Sequence, residues 1–137
     1  MLTYNGANAL LNCLCGRASS YSYGTPYVGL STSAPDRNGS GYTEPSADAG
    51  YARVMLGNAS QSVAQKMEAA NLGSSINKEI IYFPEATNSW GTCTHFLIFS
   101  APEDGVLIAY GQLTDEISPV AGTVPIIRVG DLTMSIN

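Results

Sequence analysis

The feature that most constrains this chain is a 22-residue stretch in its C-terminal half, Thr92 to Leu113. Thr92 to Ser100 (TCTHFLIFS) carries Cys93, His95, Leu97 and Phe99 on one strand face and Phe96 and Ile98 on the other. A strand wet on one side alternates apolar with polar residues, so this one is read as central and covered on both faces. Pro102-Glu103-Asp104-Gly105 follows, and Asp-Gly is a strong hairpin signal. Val106 to Leu113 (VLIAYGQL) is then the antiparallel partner. A chain with this hairpin must build a sheet and cover both of its faces.

The rest of the pattern supplies that cover. Pro26 to Thr32, Tyr51 to Leu56, Glu79 to Pro84, Pro125 to Val129 and Asp131 to Ile136 read as short strands bounded by Gly, Pro and Ser. Ala7, Leu10, Leu11 and Leu14 recur at helical spacing, with Asn5 as a cap and Gly16 as a stop, so Gly6 to Cys15 is read as an amphipathic helix. The expected architecture is all-β: a β-sandwich or jelly-roll-like domain of about six to seven strands with one short N-terminal helix. One domain spans 1–137, with the helix in 1–16 and the sandwich in 26–136. A long loop fills 33–50, dense in Gly, Pro, Asn, Asp and Ser, and loops of that length usually have contacts to make. Residues 57–77 stay undecided between a helical turn through Val63, Met67 and Ala70 and a loop between strands.

Composition narrows the chemistry. Charged residues are 12% of 137, against roughly 25% in an average protein, with a net charge of -5 and a single His. Six basic residues argue against nucleic acid or an anionic membrane as partner. No apolar run approaches the roughly 20 residues of a membrane span. The start shows neither a basic nor an apolar leader region, so synthesis and folding in a cytoplasm are expected.

Each candidate for chemistry meets a simpler reading. His95 sits mid-strand without a nucleophile-elbow pattern, and a hydrogen-bonded core histidine accounts for it. Cys13, Cys15, Cys93 and His95 offer four soft ligands, the number tetrahedral zinc takes. However, Cys13 and Cys15 are two apart on a helix and diverge, so small buried apolar side chains are preferred and no metal or other cofactor is assigned. Asp36, Glu44 and Asp48 lack the order of a calcium loop. The pairs Glu103-Asp104 and Asp115-Glu116 fall in turns. Catalysis is not expected.

Interface candidates remain. Tyr21, Tyr23 and Tyr42, with Tyr27 and Tyr51, cluster in sequence around the long loop. Such residues stack on sugar rings or line subunit interfaces, and the interface is preferred. The apolar face of Leu10, Leu11 and Leu14 could hold a partner, although packing on the chain's own sandwich is preferred.

Taken in order, Ala7-Asn8-Ala9-Leu10-Leu11, Tyr27-Val28-Gly29-Leu30-Ser31-Thr32, GYTEPS (41–46), Gly50-Tyr51-Ala52-Arg53-Val54, IYFPEAT (81–87), WGTCTHF (90–96) and Ala109-Tyr110-Gly111-Gln112-Leu113-Thr114 resemble a family of small tailed-bacteriophage and prophage proteins. These are commonly labelled phage tail fibre or virion structural proteins. The resemblance covers nearly the whole chain. It departs at Ala59 to Gly73, which looks like an insertion, and at Cys93, where an aliphatic residue is expected. It implies a part of the virus particle and brings no catalytic residues. Between locations, the absence of a long repetitive shaft favours a capsid decoration protein over a tail or tail-fibre component, the alternative, which could bind host-surface carbohydrate. The expected partners are other virion proteins, either major capsid protein or tail proteins, and further copies of the chain, a trimer by analogy.

Overall fold

Both faces of the central strand are indeed covered, each by a different part of the chain. The computed structural model describes residues 1–58 and 65–136. Its elements are α1 (Tyr4–Leu14), β1 (Tyr27–Ser31), β2 (Val54–Met55), β3 (Ser74–Ile76), β4 (Ile81–Tyr82), β5 (Cys93–Phe99), β6 (Leu107–Ile117), β7 (Ile126–Ile127) and β8 (Thr133–Ser135). One antiparallel sheet has the order β2-β1-β5-β6. Two short antiparallel ribbons, β3-β8 and β4-β7, complete the strands. Among the described residues the chain is all-β with one short α-helix.

On one face of the sheet Val28, Leu30, Phe96, Ile98, Ala109 and Leu113 meet the ribbon and loop residues Ile81, Phe83, Trp90, Ile127 and Leu132 in the main core. On the other, Leu97, Phe99 and Leu107 form a smaller cluster covered by Tyr42 of the long loop and Tyr110. Each buried Val, Leu, Ile or Phe among these contributes roughly 1.5–3 kcal/mol on burial. Phe96 can lie flat across β6 because residue 111 is Gly: a Cβ there would stand 2.6 Å from its ring. The turn after β5 holds Asp104 and Gly105 both at positive φ, 53° and 73°, the conformation that Asp-Gly favours.

Several expectations change. The layer over the main core is two ribbons of two- and three-residue strands, so Glu79–Pro84 and Pro125–Val129 shrink to their pairing centres. Tyr51–Leu56 shrinks to Val54–Met55, because Gly50 is left-handed and the Tyr51 and Arg53 side chains serve the loop instead. β6 runs on to Ile117, beyond the expected end at Leu113. His95 pairs with Gln112 but Cys93 with Ile117, so the chain bulges between these pairs. In the undecided region, Met67 and Ala70 are not helical: Met67 bridges to Asn77, and Asn71–Ser74 closes a tight turn into β3. Val63 lies outside the described residues.

The helix is capped by Thr3, not Asn5. Its Oγ1 accepts from the Gly6 N–H at 3.2 Å and donates to the Leu107 and Ile108 carbonyls, at 2.7 and 2.9 Å. Met1 to Thr3 run beside β6 as a short added strand, with Thr3 N–H on Ile108 O and Tyr110 N–H on Met1 O. Gly16 stops the helix at φ 74°.

Candidate functional site

The helix packs with a different face from the one its leucines suggested. Its buried residues are Gly6 and Ala9, one position around from Ala7, Leu10, Leu11 and Leu14. The cause is closeness: a Cβ on Gly6 would collide with the Ile108 carbonyl, so only a small-residue stripe can reach β6. Leu10 is half-buried, while Leu11 and Leu14 are exposed at 53% and 82%. The preferred expectation, leucines packed on the chain's own sheet, is therefore corrected for these two. They face outward beside Met1, Leu2 and Ile136 along a groove.

The tyrosines do not form one platform. Tyr51 is buried in the main core, edge-on to Trp90 at 5.3 Å. Tyr42 packs edge-on to Phe99 at 5.4 Å. Tyr21 and Tyr23 stack edge-to-face on each other at 5.8 Å, with Tyr21 partly exposed.

Where the five tyrosines were expected to gather, a clamp of a different kind holds the long loop. Arg53 forks onto Glu44 through Nε and Nη2, at 3.0 and 2.7 Å. Its Nη1 donates to the carbonyls of Ala101 and Asp104, at 3.0 and 2.7 Å. The guanidinium lies 3.4 Å from the centre of the Phe99 ring. Tyr51 donates to Glu44 and accepts from the Leu30 N–H. Burial first, and then the Glu44 carboxylate, push the Tyr51 phenol far above its ordinary range. Gly29 makes room, since a Cβ there would meet the Tyr51 hydroxyl at 2.5 Å. The long loop, the segment from Tyr51 to Arg53, β1 and the β5–β6 turn thus meet at this one Arg53–Glu44 pair and Tyr51.

That clamp also uses up a candidate calcium ligand. Of the other two, Asp36 accepts from Asn38 and Ser40 within its own turn, bonds to Ser40 that hold its carboxyl below the usual range. Asp48 lies in a single 3-10 turn capped by Ser46. Among the described residues no three His, Cys, Asp or Glu side chains gather to hold a metal. Cys13 is on α1 and partly buried, Cys15 is the exposed residue at the helix's C-terminal cap, and Cys93 is buried in the main core. His95 Nδ1 meets Thr94 Oγ1 at 2.8 Å, and burial lowers its pKa.

The thiols give a simple check. Burial pushes Cys93 up to about 11, while Cys15 is exposed. A disulfide reagent at neutral pH is expected to titrate Cys15 first and Cys93 only on unfolding. Equal rates for all three thiols would contradict this core.

One residue with a central structural role carries no signal in the sequence. Asn77, between β3 and β4, is 1% exposed. Its amide donates to the carbonyls of Glu79 and Arg128, both at 2.9 Å, and its Oδ1 accepts from Gly130 and Leu132, at 3.0 and 3.1 Å. It locks the two ribbons together.

Against this geometry stands one family match. A sequence model of the family described as podophage GP4 fiber I protein gp80 matches residues 1–135. The chain belongs to this family. A search of curated proteins finds no significant match. Membership in a phage fibre family makes the chain a bacteriophage structural protein, a component of the virion. It does not support the expectation of capsid decoration, since the family is described by a fibre; the tail-fibre alternative fits it better. No helix among the described residues is long and apolar enough to cross a membrane. Within this family member, the segments that carried the resemblance fall on packing positions: Gly29 and Glu44 at the clamp, Tyr51 and Trp90 in the core, Gly111 beneath Phe96.

Proposed function

We propose that this protein is a non-enzymatic structural subunit of a podophage fibre, assembled in the host bacterial cytoplasm and joined to other tail proteins of the particle. The family match across residues 1–135 carries the reading. The molecule supports it in two ways. Its polar side chains are spent on holding loops, as at Glu44–Arg53 and Asn77. Its outward helix face offers apolar contacts to neighbours.

The experiment is localisation on the particle. Virions carrying an epitope-tagged copy, labelled with gold, are expected to show label on the fibres. Particles made without the gene should lack those fibres while their heads stay intact. Label spread over the capsid faces, with fibres unchanged in its absence, would return the protein to the head and overturn the reading.

A further inference from the structure

The turn between Asn71 and Ser74 is built against the usual preferences. Asn71 and Ser74 exchange both backbone hydrogen bonds, at 2.8 and 3.0 Å, around the two-residue tip Leu72-Gly73. Both tip residues have positive φ, 55° and 77°. The first tip position of such a turn ordinarily takes Asn, Asp or Gly, because a bulky side chain is strained there. Here it is Leu, and it is 98% exposed. Neither the backbone nor solvation of the single chain accounts for that choice.

Directly beside this knob lies a hole. A cavity of about 360 Å³ opens between α1, the sheet and the β3–β8 ribbon, with Leu10, Tyr21, Met67, Ile98, Gly73 and Ile136 among its walls. It continues along α1 past Leu11 to Leu14. Among the described residues Arg37 carries the only charged side chain along the trough. Its guanidinium is engaged, over the Tyr4 ring at 4.7 Å and on the Leu2 carbonyl at 3.3 Å.

We infer that this trough is the surface by which copies of the chain associate, the Leu72 knob of one copy seating in the apolar trough of its neighbour. Three observations select a second copy as occupant. Knob and hole adjoin on one patch, so the patch is self-complementary in shape and one rotation axis lets each copy give and receive. A chain of net charge -5 repels its own kind, and no Asp or Glu stands among the described residues of the trough walls. The exposed parts of Leu72, Leu14, Ile136, Met1, Leu11 and Tyr4 amount to about 400–600 Å² of apolar surface per copy. Two copies together then approach the roughly 1,200 Å² at which specific interfaces begin. That size suits contacts that hold by repetition in an assembly. The inference goes beyond the fibre reading and does not depend on it.

Sedimentation of the purified chain between about 1 and 100 µM tests it. The wild type is expected to self-associate. Leu72→Asn should weaken association by about 10- to 100-fold while leaving the melting temperature of the monomer unchanged or higher, because Asn suits the left-handed position. Leu14→Lys, which suits the last turn of a helix, should weaken it without unfolding. Self-association insensitive to both substitutions overturns the inference, and so does a wild type that stays monomeric throughout. A monomer that binds an apolar dye in the trough would mean a different occupant. Any of these results would leave the particle localisation standing on its own.

Discussion

Asn77→Ala is expected to lower stability by about 3–4 kcal/mol, which for a chain of this size is a fall of roughly 10–15 °C in melting temperature. The magnitude follows from what the substitution strands. The Leu132 N–H loses the acceptor Oδ1 and the Glu79 carbonyl loses the amide donor, while the Gly130 N–H keeps the Asn77 carbonyl and the Arg128 carbonyl keeps the Asp131 N–H. The site is 1% exposed, so water reaches it poorly. A buried polar group left without a partner costs about 1–3 kcal/mol, and backbone bonds such as Asn77 N–H to Leu132 O limit relaxation. Asn77→Asp separates packing from hydrogen bonding. It keeps the shape and the acceptors but loses the donors and buries a charge. Burial raises the pKa of that new carboxyl in the folded state, so its stability deficit is smallest at acid pH and grows as pH rises through that value. Thermal melts of the two variants across pH check both statements. A loss below about 1 kcal/mol for Asn77→Ala would mean that the ribbons are held elsewhere.

How far such features can be read from the chain depends on the range of the forces involved. The β5–β6 hairpin was legible because its signals are local: apolar residues on both faces of one strand and Asp104-Gly105 at the turn. The helix was legible as a helix, but not its packing face. Periodicity ranks faces by hydrophobicity, whereas α1 docks by closeness, at Gly6 and Ala9 under Ile108. The ribbon strands β4, β7 and β8 were legible as short strands, but their pairing was not, and β3 fell in the undecided region: three residues are too few to show a period, and β3 pairs with β8 some 60 positions away, Ser74 with Ser135. Cys93 was legible as a core position, and the structure puts it in the main core. The tyrosine cluster was an artefact of sequence proximity, since Tyr51, Tyr42 and Tyr21 turn to three different environments. Leu72 hid its own turn: Asn71 and Gly73 are turn residues, but the leucine between them reads as apolar pattern.

The clamp on the long loop supplies the second large effect. Arg53→Met keeps most of the side-chain volume and removes the charge. It leaves the Glu44 carboxylate, 19% exposed, with the Tyr51 hydroxyl as its remaining partner in the clamp. It also leaves the carbonyls of Ala101 and Asp104 without the Nη1 donor. Breaking a buried pair by removing one partner costs about 3–5 kcal/mol. The partial exposure of Glu44 and of the Asp104 carbonyl argues for the low end, about 3 kcal/mol. The double variant Glu44→Gln/Arg53→Met removes the uncompensated charge as well, so it should be less destabilised than the two single changes add up to, by about 1–2 kcal/mol. Urea unfolding of the four proteins measures this as shifts in midpoint at constant slope. The loop should show it separately. With Glu44 released, residues 33–50 lose their tie to the β5–β6 turn, and limited proteolysis within them should quicken in Arg53→Met before the core opens. Additivity of the two substitutions to within about 0.5 kcal/mol, with unchanged cleavage in the loop, would show that Arg53 acts through Phe99 and the Ala101 and Asp104 carbonyls and not through Glu44, which Tyr51 would then hold.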